Sequence, residues 1–273
     1  VSHLAMAGTM LIVGLGAARE VRTYDVADPR SPVARGRLAV AGDVRSVIVH
    51  DGHVFVGIDY HLLSIAIGAT GDLTLVGDAD WPQVGPWFGP LALRHGDLLL
   101  TDGWGIDPAT GQPFHGIHVV DLTDPRALRD LGVAAMVDGM KDMAIVGDIA
   151  YVAAYDTGLQ IFDLADPLHP RRLGGSETPR GGLDHVVTDG RTAFATNDFG
   201  LLYVTDVRDP AQPATVATLD LPGDSPNLLN LSGDRLAVAA SGALHVLDVG
   251  DPANPKLVAA HHTLGYASPA IAV

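Results

Sequence analysis

The chain has 273 residues, of which 47% are hydrophobic, a formal net charge of −15 and no cysteine. The apolar content excludes a disordered chain, the acidic charge argues against nucleic acid as a partner, and the lack of cysteine excludes disulfides and a cysteine nucleophile. No apolar run reaches the ~18 residues of a membrane span. We therefore expect a soluble protein with no membrane span, either cytoplasmic or secreted.

A short motif, Asp-x-x-Asp-Pro, recurs along the chain, each time after an apolar segment. Its five copies begin at Asp25, Asp121, Asp163, Asp206 and Asp248. A sixth segment, 62–71, keeps the alternation but has Ile67 at the equivalent position. The steps between positions 25, 67, 121, 163, 206 and 248 are 42, 54, 42, 43 and 42 residues. Such a period indicates a repeat architecture.

Each repeat reads as four short strands, which we name A to D. In the fourth repeat, strand A is predicted at 142–146, strand B at 149–154 and strand C at 159–164, with Gly and Asp in the intervening turns. After strand C, each Asp of the motif can accept a hydrogen bond from the N–H group two residues ahead, and Pro fixes φ. This gives a stiff connection to strand D. Four antiparallel strands in about 42 residues are typical of one β-propeller blade.

We therefore predict an all-β fold, a six-bladed β-propeller with four-stranded antiparallel blades, in a single domain over 1–273. One point stays open, because 268–273 also reads as a strand A after the sixth repeat. Either this segment completes the first blade, or the chain is a seven-bladed propeller truncated within its last blade. The third repeat is the longest, and its insertions are predicted at about 79–90 and 103–115.

The pattern Gly-Leu-x-Ile-x-Asp-Leu-x-Asp-Pro at 158–167 resembles the LVIVD repeat of bacterial and archaeal surface or secreted proteins. The resemblance covers about five and a half of the six repeats, and segment 62–71 departs from it. It implies the propeller scaffold. It implies no reaction, because the signature residues belong to turns.

In a propeller, the A strands begin at the same end of the blades as the B–C turns, around the mouth of the central channel. Ionisable residues at the predicted starts of the A strands are therefore our candidates for catalysis: His3, Arg45, Lys141, Asp142, Asp184 and His185. There a His would act as general base, Lys141 or Arg45 would stabilise an oxyanion, and Asp142 or Asp184 would orient the His. The alternative is a ring of solvated polar side chains.

The insertions of the third repeat contain all three tryptophans, which suggests a lid over a pocket. The alternative is that the tryptophans fill a gap between blades or a dimer contact. The side chains expected to bind a ligand lie in this lid, in the B–C turns and at the start of the last A strand: Asp59, Tyr60, Trp81, Trp87, Trp104, His115, Tyr155, Asp156, Asn197, Asp198 and Asn227.

The sequence contains no cofactor motif, so we predict that no cofactor is required. A divalent metal is possible, held by His3, Asp142 and His185, because imidazole and carboxylate groups suit such ions. The predicted function is a small-molecule-binding propeller that acts as a hydrolase, lyase or isomerase through acid–base or metal-assisted chemistry. The alternative is a non-catalytic interaction module at the cell surface or secreted. Substrate and oligomeric state stay open.

Overall fold

The computed structural model describes residues 3–58, 61–80, 91–94, 96–106, 113–136, 139–178, 181–221 and 224–262. These residues form 24 β-strands, and none of them lies in a helix. This part of the chain accordingly has no helix with the length and apolarity of a membrane span. The strands belong to two compact units, which are described separately.

The first unit comprises Val1–Pro113 and Ile117–Val133. It contains three sheets, each with four strands in chain order. Their strands are β1 (His3–Ala7), β2 (Met10–Leu15), β3 (Glu20–Asp25) and β4 (Val33–Ala39), then β5 (Val44–His50), β6 (His53–Ile58), β7 (His61–Ile67) and β8 (Leu73–Asp80), and then β9 (Leu91–Arg94), β10 (Leu98–Ile106), β11 (Pro113–Asp121) and β12 (Arg129–Met136).

The second unit comprises Ala134–Ile271 and the short segment Phe114–Gly116. It contains three further sheets of the same kind. Their strands are β13 (Met140–Val146), β14 (Ile149–Ala154), β15 (Gly158–Asp163) and β16 (Arg171–Ser176), then β17 (Leu183–Thr188), β18 (Thr192–Asn197), β19 (Leu201–Asp206) and β20 (Ala214–Asp220), and then β21 (Asp224–Ser232), β22 (Arg235–Ser241), β23 (Ala243–Asp248) and β24 (Lys256–His262).

The predicted repeat unit is confirmed, because every sheet has four strands and consecutive strands are hydrogen-bonded neighbours. Wherever the register is described, the pairing is antiparallel, as between β14 and β15. The A–B hairpins turn where the sequence predicted, and at Asp51 and Gly52 the φ angles of 43° and 72° are both positive. Gly tolerates this left-handed region without steric cost, which explains a Gly in each of these turns.

The Asp-x-x-Asp-Pro turns also form as predicted. In the fourth copy, Oδ1 of Asp206 accepts a hydrogen bond from the N–H of Arg208 at 3.1 Å, and Oδ1 of Asp209 accepts one from the N–H of Ala211 at 3.1 Å. Both aspartates make the same bond in the other four copies. The motif therefore fixes its own turn through local side-chain acceptors.

These turns have a second role that the sequence did not indicate. In two places a glycine of strand D lies directly against such a turn of the following blade, and Gly36 lies in the same way against the second-blade turn at Gly71, which lacks the motif. A Cβ atom at Gly174 would lie 2.5 Å from the carbonyl oxygen of Pro210, and one at Gly77 would lie 2.2 Å from that of Pro125. The turn is thus a packing surface between neighbouring blades as well as a connection within one.

The register corrects one sequence alignment. In the first blade, the first residue of strand B, Met10, is paired with Asp25, the first Asp of the motif. In the second blade, the first residue of strand B is His53, and it is paired with Ala66. Ala66, one position before Ile67, therefore occupies the place of the first Asp in the second blade. The error arose because this turn lacks the signature and closes differently, with the N–H of Gly71 bonded to the carbonyl of Gly68.

The core lies between the faces of neighbouring sheets. Within the second unit, side chains of β14 and β15 pack on those of β17 to β19, with Tyr151, Ile161, Val186 and Leu201 among the buried members. Another cluster joins the fifth and sixth blades, and in the first unit two clusters join the first to the second blade and the second to the third. The strands buried on both faces are B and C, such as β14, β15 and β18, whereas the A strands β13 and β17 are only partly buried.

Some sequence predictions lie outside the described residues. Segment 268–273, on which the choice between closing the first blade and a truncated seventh blade depends, is one of them. Most of the two predicted insertions also lies outside the described residues, namely 81–90 and 107–112. The assignment of 1–273 to a single domain stays a prediction.

Candidate functional site

Strand A of several blades begins with a β-bulge, and the bulge places a polar residue there. In β13 the ladder to β14 pairs Met140 and then Asp142, so Lys141 is the extra residue. In β17 the extra residue is Asp184, and in β5 it is Arg45. A bulge interrupts the ladder and redirects one side chain, and bulges are common beside active sites. Three of the six predicted catalytic residues, Arg45, Lys141 and Asp184, therefore coincide with a repeated backbone irregularity.

In the sixth blade the same bulge falls at Asn227, between Pro226 and Leu228. Asn227 thus occupies the position of Lys141 and Asp184, one residue before the position of Asp142 and His185.

In the first unit, His3 lies at the start of β1 near Arg45. Burial and, next, the positive charge of Arg45 lower the pKa of His3 from 6.5 to about 4. The Nη2 atom of Arg45 lies 3.9 Å from Oδ2 of Asp43. A histidine with so low a pKa is neutral at pH 7 and a weak base, so its side chain is poorly suited to general-base catalysis near neutral pH.

The second unit brings several predicted residues together, beginning with Asp142 and His185. Oδ1 of Asp142 accepts a hydrogen bond from the N–H of Met143 at 2.8 Å, and Oδ2 accepts one from the N–H of Val186 at 3.0 Å. The Nδ1 atom of His185 lies 3.7 Å from the same Oδ2, which is beyond hydrogen-bond distance. Asp142 therefore ties β13 to the backbone of β17, and its carboxylate lies next to the His185 ring.

Asp184 and Asp198 form the most unusual contact of the predicted set. Asp184 lies at the bulge of β17, Asp198 lies in the turn between β18 and β19, and their carboxyl groups are in contact. Two carboxyl groups can hydrogen-bond only if one of them carries a proton. Burial and then the Asp198 carboxyl raise the pKa of Asp184 to about 6, against the opposing charges of His185 and Lys141. Oδ2 of Asp184 is buried and accepts no hydrogen bond from the described residues.

Lys141 and Tyr155 form a second contact between a strand start and a B–C turn. The Nζ atom of Lys141 lies 5.0 Å from the centre of the Tyr155 ring, within the range of a cation–π interaction. The backbone of Tyr155 bridges to the next blade, because its carbonyl accepts the N–H of Leu183 at 3.0 Å. Gly182 permits this approach, since a Cβ there would lie 2.4 Å from the carbonyl carbon of Tyr155. We call Lys141, Asp142, Tyr155, Asp184, His185 and Asp198 the Asp184 site.

The other predicted ligand-binding residues fall into two groups. Asp156 is exposed in the turn after β14, and Asn197 is buried at the end of β18, where its Oδ1 accepts the N–H groups of Phe199 and Leu201. Asn197 therefore shapes a turn. The remaining residues lie outside the described residues or side chains: Asp59, Tyr60, Trp81, Trp87, Trp104, His115 and Asn227.

The metal hypothesis finds no support in the described side chains. Among them, no group of three or more His, Asp or Glu side chains is arranged to hold an ion. His3 belongs to the first unit, whereas Asp142 and His185 belong to the second. A divalent metal stays a prediction.

Phe199 is a residue of this region that the sequence reasoning missed. It follows Asp198 in the turn between β18 and β19, and 72% of its surface is exposed. An aromatic residue at the tip of a turn, where polar residues are usual, was the available signal.

The six four-stranded antiparallel sheets define the class of the protein, an all-β, six-bladed β-propeller. The family model described as the LVIVD repeat matches residues 139–176 and 223–263, which cover the fourth and sixth blades. Two of the six blades therefore match the LVIVD repeat, which the sequence pattern at 158–167 resembles. A comparison with curated proteins gives no match.

Solved structures that resemble the chain share its fold at low identity. A protein from Lactobacillus plantarum has a TM-score of 0.74 and 14% identity, over 97% of this chain and 85% of that one. A functionally unknown protein from Desulfotomaculum acetoxidans has a TM-score of 0.72 and 13% identity, over 94% of this chain and 88% of that one. The Cps50 (Swd1) β-propeller domain from Myceliophteria thermophila has a TM-score of 0.72 and 13% identity, over 96% of this chain and 86% of that one. At such identities the similarity concerns the fold alone.

Proposed function

We propose that this protein is a small-molecule-binding β-propeller that acts as an acid–base hydrolase, lyase or isomerase, with the Asp184 site as its reacting centre. The observation that carries the proposal is the Asp184–Asp198 contact beside His185, in which burial and a neighbouring carboxyl raise the pKa of Asp184 to about 6. Carboxyl groups with raised pKa values are characteristic of general acids.

Each group has a role in this proposal. Protonated Asp184 donates its proton to a leaving oxygen atom, and Asp198 stabilises the protonated form before the transfer. His185 accepts a proton from water or from carbon in this proposal, and its Nδ1 atom lies 3.7 Å from Oδ2 of Asp142. Lys141 supplies positive charge for a developing oxyanion. The lid of Trp81, Trp87 and Trp104 stays a prediction.

The test is a turnover screen with matched variants. Purified protein is incubated with panels of small esters, lactones, glycosides and hydroxy acids, and products are followed by mass spectrometry. For a substrate found in this way, we expect Asp184→Asn to reduce kcat/KM at least about 100-fold, as loss of a general acid does, and to remove the ionisation near pH 6 from the pH profile. Asp80→Asn is the control, because Asp80 is an exposed residue of β8.

Turnover that survives Asp184→Asn with its pH profile unchanged would contradict the proposal. A protein that binds and converts no member of the panels would instead favour the interaction module.

Exposed apolar side chains on the outer strands favour that second candidate. Leu75 of β8 and Leu257 and Val258 of β24 are exposed. However, the C–D ladder of five blades contains a bulge at one equivalent position, as at Val258 in β24. Such bulges twist an edge strand away from pairing with another chain, so addition of a partner strand is disfavoured here.

A further inference from the structure

The turn between β18 and β19 presents an aromatic ring beside the Asp184 site. Phe199 directly follows Asp198, and its exposed fraction, 72%, is the largest of any described large apolar residue. Only 5% of the residues in this chain are aromatic. A ring left in water at this place calls for an explanation, because burial of a Phe side chain is worth roughly 1.5 to 3 kcal/mol.

The Phe199 ring is held in place by contact with the Gly181 backbone. A Cβ atom at Gly181 would lie 2.6 Å from Cε2 and 2.7 Å from Cδ2 of Phe199, so the ring rests directly on the Gly181 backbone. The Gly181 carbonyl accepts a hydrogen bond from the Thr178 hydroxyl at 2.8 Å, and Oδ1 of Asn197 accepts the N–H of Phe199 at 3.1 Å. Both sides of the contact are therefore fixed by hydrogen bonds. The Cδ2 and Cε2 atoms of the ring pack on Gly181, and most of the ring is open to solvent.

Phe199 lines a groove of about 400 Å³ together with Gly181, Leu201 and Asp220. Asp220 ends β20 and is paired with Leu201 in the ladder, so its carboxylate lies at the edge of an otherwise apolar lining. The chain as a whole carries a net charge of −15. Both the local and the overall charge favour a cationic ligand and disfavour an anionic one.

We infer that this groove binds an organic cation with a flat apolar face, the face lying on the Phe199 ring and the ammonium group lying by the Asp220 carboxylate. Aromatic rings attract both apolar faces and cations, and a single carboxylate fixes the orientation of the ligand. As a statement about substrate class the inference rests on the proposed function, because the groove adjoins Asp198. As a statement about binding it stands on the groove alone.

The test uses three probes of similar shape and different charge: phenethylamine, 2-phenylethanol and phenylacetate. Binding is measured by saturation-transfer NMR and by calorimetric titration at pH 7. We expect phenethylamine to bind about two- to fivefold more tightly than the alcohol, which matches an exposed cation–π or ion-pair contact, and phenylacetate to bind least. Phe199→Leu and Asp220→Asn should each weaken phenethylamine by a similar factor, and Phe199→Tyr should retain its binding.

The controls are Val258→Ala, which changes an exposed apolar side chain on β24, and Asp80→Asn, and neither should change the affinity. Equal affinity for the three probes, tighter binding of the alcohol or of phenylacetate, or no effect of Phe199→Leu would overturn the inference.

Asp184→Asn separates this inference from the proposed function. It should leave phenethylamine binding within about twofold while abolishing turnover, because the ammonium group is placed at Asp220. Intact probe binding in a protein without any turnover would contradict the proposed function and leave the inference about the groove standing. Turnover of substrates whose KM is insensitive to Phe199→Leu would contradict the groove as a substrate site and leave the proposed function standing.

Discussion

At the scale of single residues, Asp184 is a group whose protonation depends strongly on its surroundings. Its pKa in the folded protein is about 6, against an ordinary value of 3.8, because it is half-buried and lies against the Asp198 carboxyl. The folded protein thus binds this proton more tightly than the unfolded chain does. The stabilising contribution of the protonated form is fully present below about pH 4 and is lost as the pH rises through about 6.

We therefore predict that Asp184→Asn stabilises the protein at pH 8 and has little effect at pH 4. An Asn side chain carries no charge and can donate a hydrogen bond to Asp198, as protonated Asp184 does. A shift of about two pKa units is equivalent to about 3 kcal/mol, and solvent screening of this half-exposed carboxyl reduces the expected gain to about 1 kcal/mol. Urea unfolding of both proteins at pH 4 and pH 8 measures it. An equal difference at both pH values, or a similar gain in Asp80→Asn, would contradict the prediction.

At the scale of the structural element, the Asp-x-x-Asp-Pro turn is fixed by its second Asp. The Oδ1 atom of Asp209 accepts the N–H of Ala211, and its carbonyl accepts the N–H of Gln212 at 3.0 Å. The carbonyl oxygen of the following Pro210 also contacts Gly174 of the preceding blade. A change in the shape of this turn therefore alters the packing of two blades.

Asp209→Ala should destabilise the protein by about 1 kcal/mol, because it removes the acceptor of one turn hydrogen bond. Asp209→Asn should cost much less, since the amide oxygen can accept the same bond. Thermal and urea midpoints of the two variants measure the difference. If the Asn variant were destabilised as much as the Ala variant, the charge of Asp209 and not its hydrogen bond would be the stabilising property.

At the scale of the whole molecule, the repeated turns make the free energy of unfolding depend on pH in the acidic range. The first Asp of four turns, Asp25, Asp121, Asp206 and Asp248, has a lowered pKa. At Asp206 the hydrogen bond from Arg208 is the largest cause, followed by a backbone N–H group, and the pKa falls to about 2. A carboxylate with a lowered pKa contributes stability above its ordinary value near 4, and that contribution is lost as the pH falls toward 2.

We predict that the sheets lose stability progressively between about pH 4 and pH 2, and that Arg208→Ala makes this loss shallower by bringing the pKa of Asp206 back toward its ordinary value. Circular dichroism during urea unfolding at several pH values follows the change. Arg30→Ala, a substitution at an exposed residue of the first turn, serves as the control. A stability that is constant from pH 5 to pH 2 would refute the prediction.

The sequence by itself determined the blade. The turn aspartates, the prolines and the glycines of the A–B hairpins act on backbone groups within a few residues of themselves, so their consequences can be read along the chain. The apolar strands between them follow from the same spacing. Where the signature was missing, at 62–71, the alignment was wrong by one residue, because only the pairing of Ala66 with His53 fixes the register.

The tertiary structure decided which polar residues act on one another. The contacts between Asp184 and Asp198, between Lys141 and Tyr155 and between Phe199 and Gly181 each join different strands or turns. Each depends on the positions of bulges and on backbone approaches of a few ångströms. The sequence could nominate Asp184 as a candidate, but its raised pKa comes from burial and from a carboxyl brought alongside by folding. Such effects depend on distance and local dielectric, and these exist only once the blades have packed.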